Sequence, residues 1–220
     1  SRGLGDVYKR QIMMKAETTR RLVVDHTKRE MIRQGISRLT MDIIAQGLGM
    51  SKRTLYQLFP SKVCLVQICL ADIAGERKRT LLARADNDRS CVKTLFDIVG
   101  GYVDLMYSMG RVLLTDLAQE TDYQSFSKRE EYFWLQQFAD VLNRCKACGY
   151  LLPDVDPDRF ANDLLVLLYE NSLRGARYTT QWLFCQALLR GIFRTNAIPL
   201  IDEYMEEHDL AVHALSLIHI

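Results

Sequence analysis

Apolar or small residues at Val23, Val24, Thr27 and Met31 recur at spacings of three and four, which predicts a helix with one buried face. Gly35 ends it. Thr40 is a good N-cap residue, and Met41, Ile44, Ala45 and Leu48 follow with helical spacing as far as Gly49, giving a helix of about two turns. In Gly49-Met50-Ser51, the glycine can take the left-handed conformation that closes a helix, and Ser51 can cap the next one. Residues 52–58 then make a second short helix. Its Leu55 turns inward with Phe59, which leaves Lys52, Arg53, Thr54, Tyr56 and Gln57 largely outward. Pro60 and Ser61 break and restart the chain, with Ser61 as N-cap and Lys62 in the first turn of a longer helix.

Two short helices joined by a glycine-containing turn match a helix-turn-helix, whose second helix enters the major groove of DNA. That second helix offers cations, hydroxyls and an amide but no acid, groups that bond to phosphates and base edges without repulsion. The rest of the chain reads as helix too. Residues 92–109 are apolar on most turns, and residues 130–148 carry Tyr132, Phe133, Trp134, Leu135, Phe138, Val141 and Leu142 before Gly149. Asp156 as N-cap, Pro157 at the first helical position and Asp158 in the first turn open a helix over 161–174, and a last major helix runs from about 180 to 194. The predicted fold class is all-α.

Charge divides the chain. Residues 14–85 hold 14 Lys/Arg against 6 Asp/Glu, while residues 86–220 hold 12 against 20, so a basic part suited to a polyanion precedes an acidic part that is not. Chance clustering of solvated charges is the bland alternative. The longest nearly uninterrupted apolar run, residues 164–169, is far short of a membrane span. Residues 1–12 and 215–220 lack period and caps, and are expected to be flanking sequence outside the fold.

The run over residues 35–65, GISRLTMDIIAQGLGMSKRTLYQLFPSKVCL, resembles the N-terminal domain of the tetracycline-repressor (TetR) family of bacterial regulators. The likeness spans residues 23–65. It implies an N-terminal three-helix DNA-binding domain over residues 14–65, a connector helix from 61 to about 85, and a C-terminal helical effector-binding and dimerisation domain over 86–210. It also implies that Thr40, Tyr56 and Lys62 hold backbone phosphates while Ser51, Lys52, Arg53, Thr54 and Gln57 lie at or near the groove. Leu58 departs from the family, which usually carries His or Tyr there, so one polar contact to phosphate is expected to be absent. Tyr56 as a half-buried brace and Lys62 as a solvated lysine remain the structural alternatives.

By the same resemblance, the protein is expected to be a cytoplasmic homodimer, paired through its last two major helices and bound to a palindromic operator in double-stranded DNA. Leu164, Leu165, Leu168, Leu173, Trp182, Leu183, Leu188, Leu189, Ile192 and Phe193 are candidates for the pairing surface, with ordinary core as the competing account. A repressor released by a small-molecule effector is the implied mode. Tyr102, Met106, Trp134, Phe138 and Tyr169 are candidates to line the effector pocket, though aromatic and Met stripes are more often plain core. The alternative reading is a helical dimeric interaction protein whose DNA-binding role has lapsed.

Six cysteines raise a metal or redox hypothesis, since Cys145 and Cys148 form a Cys-x-x-Cys pair and Cys64 and Cys69 share a helix. There is no second pair at zinc-like spacing, and the four histidines are not clustered with them, so neither a metal site nor a cofactor is expected. Reduced thiols are the expected state, with a redox role for Cys145 and Cys148 left open. An enzyme is the rival class. The sequence shows no nucleophile turn, P-loop, dinucleotide fingerprint or HExxH to support it.

Overall fold

The computed structural model describes residues 2–84 and 90–216, with side chains described over 14–81 and 90–208. The helices are α1 (Arg2–Gln34), α2 (Met41–Gly47), α3 (Lys52–Leu58), α4 (Lys62–Arg84), α5 (Cys91–Gln119), α6 (Gln124–Ala147), α7 (Pro157–Leu173), α8 (Tyr178–Ile192) and α9 (Ile198–Ser216). Single 3-10 turns at Thr121–Tyr123 and Thr195–Ala197 precede α6 and α9. Extended pairing among the described residues is confined to one antiparallel bridge, Leu151 with Phe193. No single helix there is long and apolar enough to cross a membrane.

The chain forms two compact units. The first comprises the described parts of residues 1–76 and 109–128, and the second those of 77–108 and 129–220. α5 contributes to both and is broken at Gly110, whose φ of 72° and ψ of 156° are open to glycine but costly for other residues. In the first unit Val23, Met31, Ile44, Leu55, Phe59 and Leu65 are buried, so the helical spacing that links them in sequence becomes a shared core. Thr27 is buried with them and satisfies its hydroxyl on the Val23 carbonyl at 2.7 Å. In the second unit Trp134 and Phe138 are fully buried, and Tyr204 packs on Phe96 at 5.2 Å between ring centroids.

Two sequence expectations change. α1 starts at Arg2, running through a stretch whose apolar spacing gave no helix; no proline interrupts it. A further helix, α9, follows the one expected to be last. Its Pro199 falls in the first turn, where the missing N–H costs no hydrogen bond. The candidate pairing residues are also mostly core within one protomer. Leu164, Leu165, Leu168, Trp182, Leu189, Ile192 and Phe193 are buried, Leu173 and Leu188 half-buried, and Leu183 alone of that set is exposed. Residues 217–220 of the expected C-terminal flank lie outside the described residues.

Candidate nucleic-acid interface

The helix-turn-helix is built from local capping. Thr40 is extended (φ −127°, ψ 156°), and its hydroxyl accepts the Ile43 N–H, one of the donors a helix start leaves unpaired. α2 closes when Met50 N donates to the Ala45 carbonyl at 3.0 Å and Gly49 N to that of Gln46 at 3.1 Å, a closure that needs the positive φ of Gly49 (62°). Ser51 then caps α3 by accepting the Thr54 N–H at 3.1 Å. Ser61 repeats the device for α4, accepting from Cys64 N at 3.1 Å.

Long-range contacts hold this pair in place. Arg20 on α1 donates to the Leu58 carbonyl at 2.7 Å and lays its guanidinium 4.3 Å from the centre of the Phe59 ring, so one side chain clamps the end of α3. His26 on α1 packs so closely on α2 that a Cβ at Gly47 would lie 2.5 Å from its Nε2. In the loop before α2, Asp116 accepts the Ser37 N–H at 2.9 Å and the Ser37 hydroxyl at 2.6 Å. None of these pairs has a sequence signature.

With Leu55 fully buried, α3 turns Lys52, Arg53, Thr54, Tyr56 and Gln57 outward, and Tyr56 is 49% exposed. Thr40 and Ser51 are exposed at the two helix starts, while Lys62 is half-buried. All eight candidate residues therefore sit on or beside the two helices, but they are not equally available. Lys52 pairs with Asp42 of α2 at 2.5 Å, with both side chains about 60% exposed. α3 itself carries no acid, but the fold brings one from α2. An exposed pair of this kind contributes little stability. Ser51 Oγ and Thr54 Oγ1 lie 2.9 Å apart, so each hydroxyl is oriented by the other.

The candidate effector residues fall in the second unit. Tyr102 meets Trp134 and Phe138 edge-on, with ring centroids 5.4 and 5.7 Å apart, and Met106 is buried one turn along α5. Tyr169 is half-buried on α7. Burial first, then proximity to Tyr169 and Glu131, holds the Tyr102 hydroxyl above its ordinary range. Four of the five are thus core, as the bland alternative has it, but Trp134 and, one turn earlier on α6, Glu130 each hold an unsatisfied polar atom. Trp134 Nε1 and Glu130 Oε2 are buried without a hydrogen-bond partner. The other oxygen of Glu130 pairs with Lys78 at 2.7 Å.

Residues 23–67 match the model of the tetR family of bacterial regulatory proteins. Those residues form a tetR-family domain. Its match begins at Val23 on α1 and ends at Gln67 on α4, so it takes in the whole helix-turn-helix described above. Among curated proteins none matches the chain in sequence. Solved structures with the same fold include a Saccharomonospora viridis protein in complex with choline, at TM-score 0.71 and 18% identity over 81% of this chain and 99% of that one. A gamma-butyrolactone receptor gives 0.70 and 20% over 88% and 99%. A TetR-family transcriptional regulator from Agrobacterium tumefaciens gives 0.68 and 16% over 81% and 100%. At these identities the likeness establishes the fold alone: a helix-turn-helix domain followed by a helical C-terminal domain.

Proposed function

We propose that the protein is a homodimeric transcriptional regulator that reads a palindromic operator with α3 and is released from it by a small molecule bound in the second unit. The carrying observation is α3 itself, which buries Leu55 and turns two cations, two oxygen-bearing side chains and an amide outward from a tetR-family domain. Arg53 and Gln57 read base edges, Tyr56, Thr40 and Lys62 hold phosphates, and Lys52 exchanges Asp42 for the DNA. One helix of seven residues reads few base pairs, so two copies related by symmetry and spaced about one helical turn, roughly 34–36 Å, supply the specificity.

Pairing through α7 and α8 is supported by their exposed apolar side chains, Val166, Leu183 and Phe184, which are 45%, 66% and 41% exposed in one protomer. The effector reading rests on the Tyr102–Trp134–Phe138 cluster, whose unsatisfied Trp134 Nε1 and Glu130 Oε2 offer one donor and one acceptor to a ligand. Release by such a ligand makes the regulator a repressor, acting in the cytoplasm where bacterial DNA lies.

Selection of bound duplexes from a random library, followed by anisotropy titration at several salt concentrations, tests this reading. An enriched palindrome is expected, with affinity falling steeply as salt rises. Arg53→Ala relaxes specificity, costing roughly 1–3 kcal/mol at its base, whereas Tyr56→Ala weakens all sequences alike. A folded dimer that enriches no motif would overturn the proposal in favour of a helical interaction protein.

A further inference from the structure

The fold places one acid on the face that carries the cations of the helix-turn-helix. Met41, Ile44 and Ala45 are buried, so α2 turns Asp42 outward, two residues after Thr40. Its carboxylate lies 2.5 Å from Lys52 Nζ at the start of α3, and both side chains are mostly exposed. An ionised carboxylate only accepts hydrogen bonds, and a phosphate does the same, so Asp42 opposes a polyanion. Stability does not account for the pair either, since an exposed ion pair contributes little. We propose that Asp42 is a specificity-determining residue, which withholds Lys52 from non-operator DNA and yields it only at the operator. The inference rests on the DNA-binding reading above.

Two partners compete for one ammonium group. Asp42 is part of the same domain and is present whatever the DNA sequence. On a duplex of arbitrary sequence the protein is held by phosphates in no fixed register, so no acceptor is fixed opposite Lys52 and the pair persists. A pair neutralised within the protein displaces no counterion from the duplex. At the operator, Arg53 and Gln57 fix the register through base edges. Lys52 then faces one fixed acceptor, a phosphate oxygen or a guanine edge, and the weak exposed pair gives way to it. α3 therefore presents one working cation, Arg53, to random DNA and two to the operator. Specificity is a difference of affinities, and weakening the competitor widens it. As a first-turn acid Asp42 also complements the dipole of α2, but that role needs no lysine, so removing Lys52 separates the two.

The test titrates the full-length chain by anisotropy against two duplexes of one length, the sequence enriched by selection and a random one, across a range of salt concentrations. On the random duplex Asp42→Asn frees one cation. The plot of log affinity against log salt should then steepen by about 0.9, and the gain in affinity at about 50 mM salt should exceed that at about 200 mM by roughly 3.5-fold. On the enriched duplex, where Lys52 is already engaged, the slope should change by less than about a third of that amount. Asp42→Glu, which keeps the charge, keeps the wild-type slopes. In a Lys52→Met background Asp42→Asn leaves the random-duplex slope where it was. Both positions are exposed, so all variants retain the wild-type circular dichroism spectrum.

Equal steepening on both duplexes, or the same steepening without Lys52, overturns the proposal, because it marks a general loss of negative charge and not a competition for Lys52. An unchanged random-duplex slope in Asp42→Asn overturns it as well. A wild-type protein that enriches no duplex overturns the DNA-binding reading and this proposal together. One that enriches a palindrome while Asp42→Asn alters neither slope overturns this proposal alone.

Discussion

Gly35 is the position where a single methyl group should do the most damage to the first unit. Its φ is 84°, and a Cβ built there lies 2.3 Å from Asp116 Oδ2 and 2.9 Å from Val112 Cγ1. The left-handed conformation alone costs a non-glycine residue about 1–2 kcal/mol. Asp116 cannot stay where it is, because the same Oδ2 accepts the Ser37 N–H and its Oδ1 the Ser37 hydroxyl. Losing two such bonds adds about 1 kcal/mol each, at the low end for a charged acceptor because Ser37 is exposed and water replaces part of the loss. Gly35→Ala should therefore cost roughly 3–4 kcal/mol in urea denaturation followed by circular dichroism. Gly49→Ala is the control. Its φ is also positive, at 62°, but a Cβ there meets nothing within 4 Å, so strain alone applies and the cost is about 1 kcal/mol. In the double variant Gly35→Ala, Asp116→Ala the closer clash is gone and only the contact with Val112 remains, so the two losses should fall short of additive by about 1 kcal/mol or more. Equal costs for the two glycine variants, or strict additivity with Asp116→Ala, would refute the clash.

Other positions give shorter tests. Leu55→Ala removes the one fully buried side chain of α3 and should cost about 3 kcal/mol, while exposed Gln57→Ala stays within about 0.5 kcal/mol; equal melting shifts would contradict the assigned face. Asp156→Ala deletes the acceptor for the Asp158 and Arg159 N–H groups and should destabilise α7 by about 1 kcal/mol, with Asp156→Asn recovering most of it. Lys28 gives a pH signature. Desolvation lowers its pKa, but hydrogen bonds to Asp72 and Glu76 outweigh that and hold it above its ordinary 10.5. A raised folded value means its contribution is complete below pH 10.5 and is lost as pH rises through the folded pKa, so wild-type stability should fall toward that of Lys28→Met only in strong alkali. Leu183→Glu places a charge on the exposed apolar face of α8 and should convert a dimer to monomer in sedimentation without lowering monomer stability.

What was legible in the sequence is what short-range chemistry decides. Thr40, Ser51, Ser61 and Asp156 cap helices because each acceptor reaches an N–H two or three residues on, and Gly49 turns the chain by its own φ. α3 was legible for the same reason, since one buried Leu55 in a seven-residue helix fixes which side chains face out. Periodicity stops short of saying what covers an apolar face. Leu164, Leu168, Trp182 and Leu189 have the spacing of a pairing surface and the spacing of a core, and only the packed unit shows that they are core while Val166, Leu183 and Phe184 face outward.

The groups missing from the sequence reading are those joined across long stretches of chain. Arg20 reaches the end of α3, and Asp116 closes on Ser37, each over tens of residues and with side chains that are ordinary in their own neighbourhoods. Such pairings constrain the positioning of a site more than its identity. The residues proposed to touch DNA can be named from a local motif. The residues that hold α2 and α3 in place follow only from how the helices pack. Variants that alter DNA affinity without touching α3 should therefore concentrate at Arg20, His26, Gly35 and Asp116, where α1, the loop before α2 and the first unit's part of α5 set the position of the reading helix.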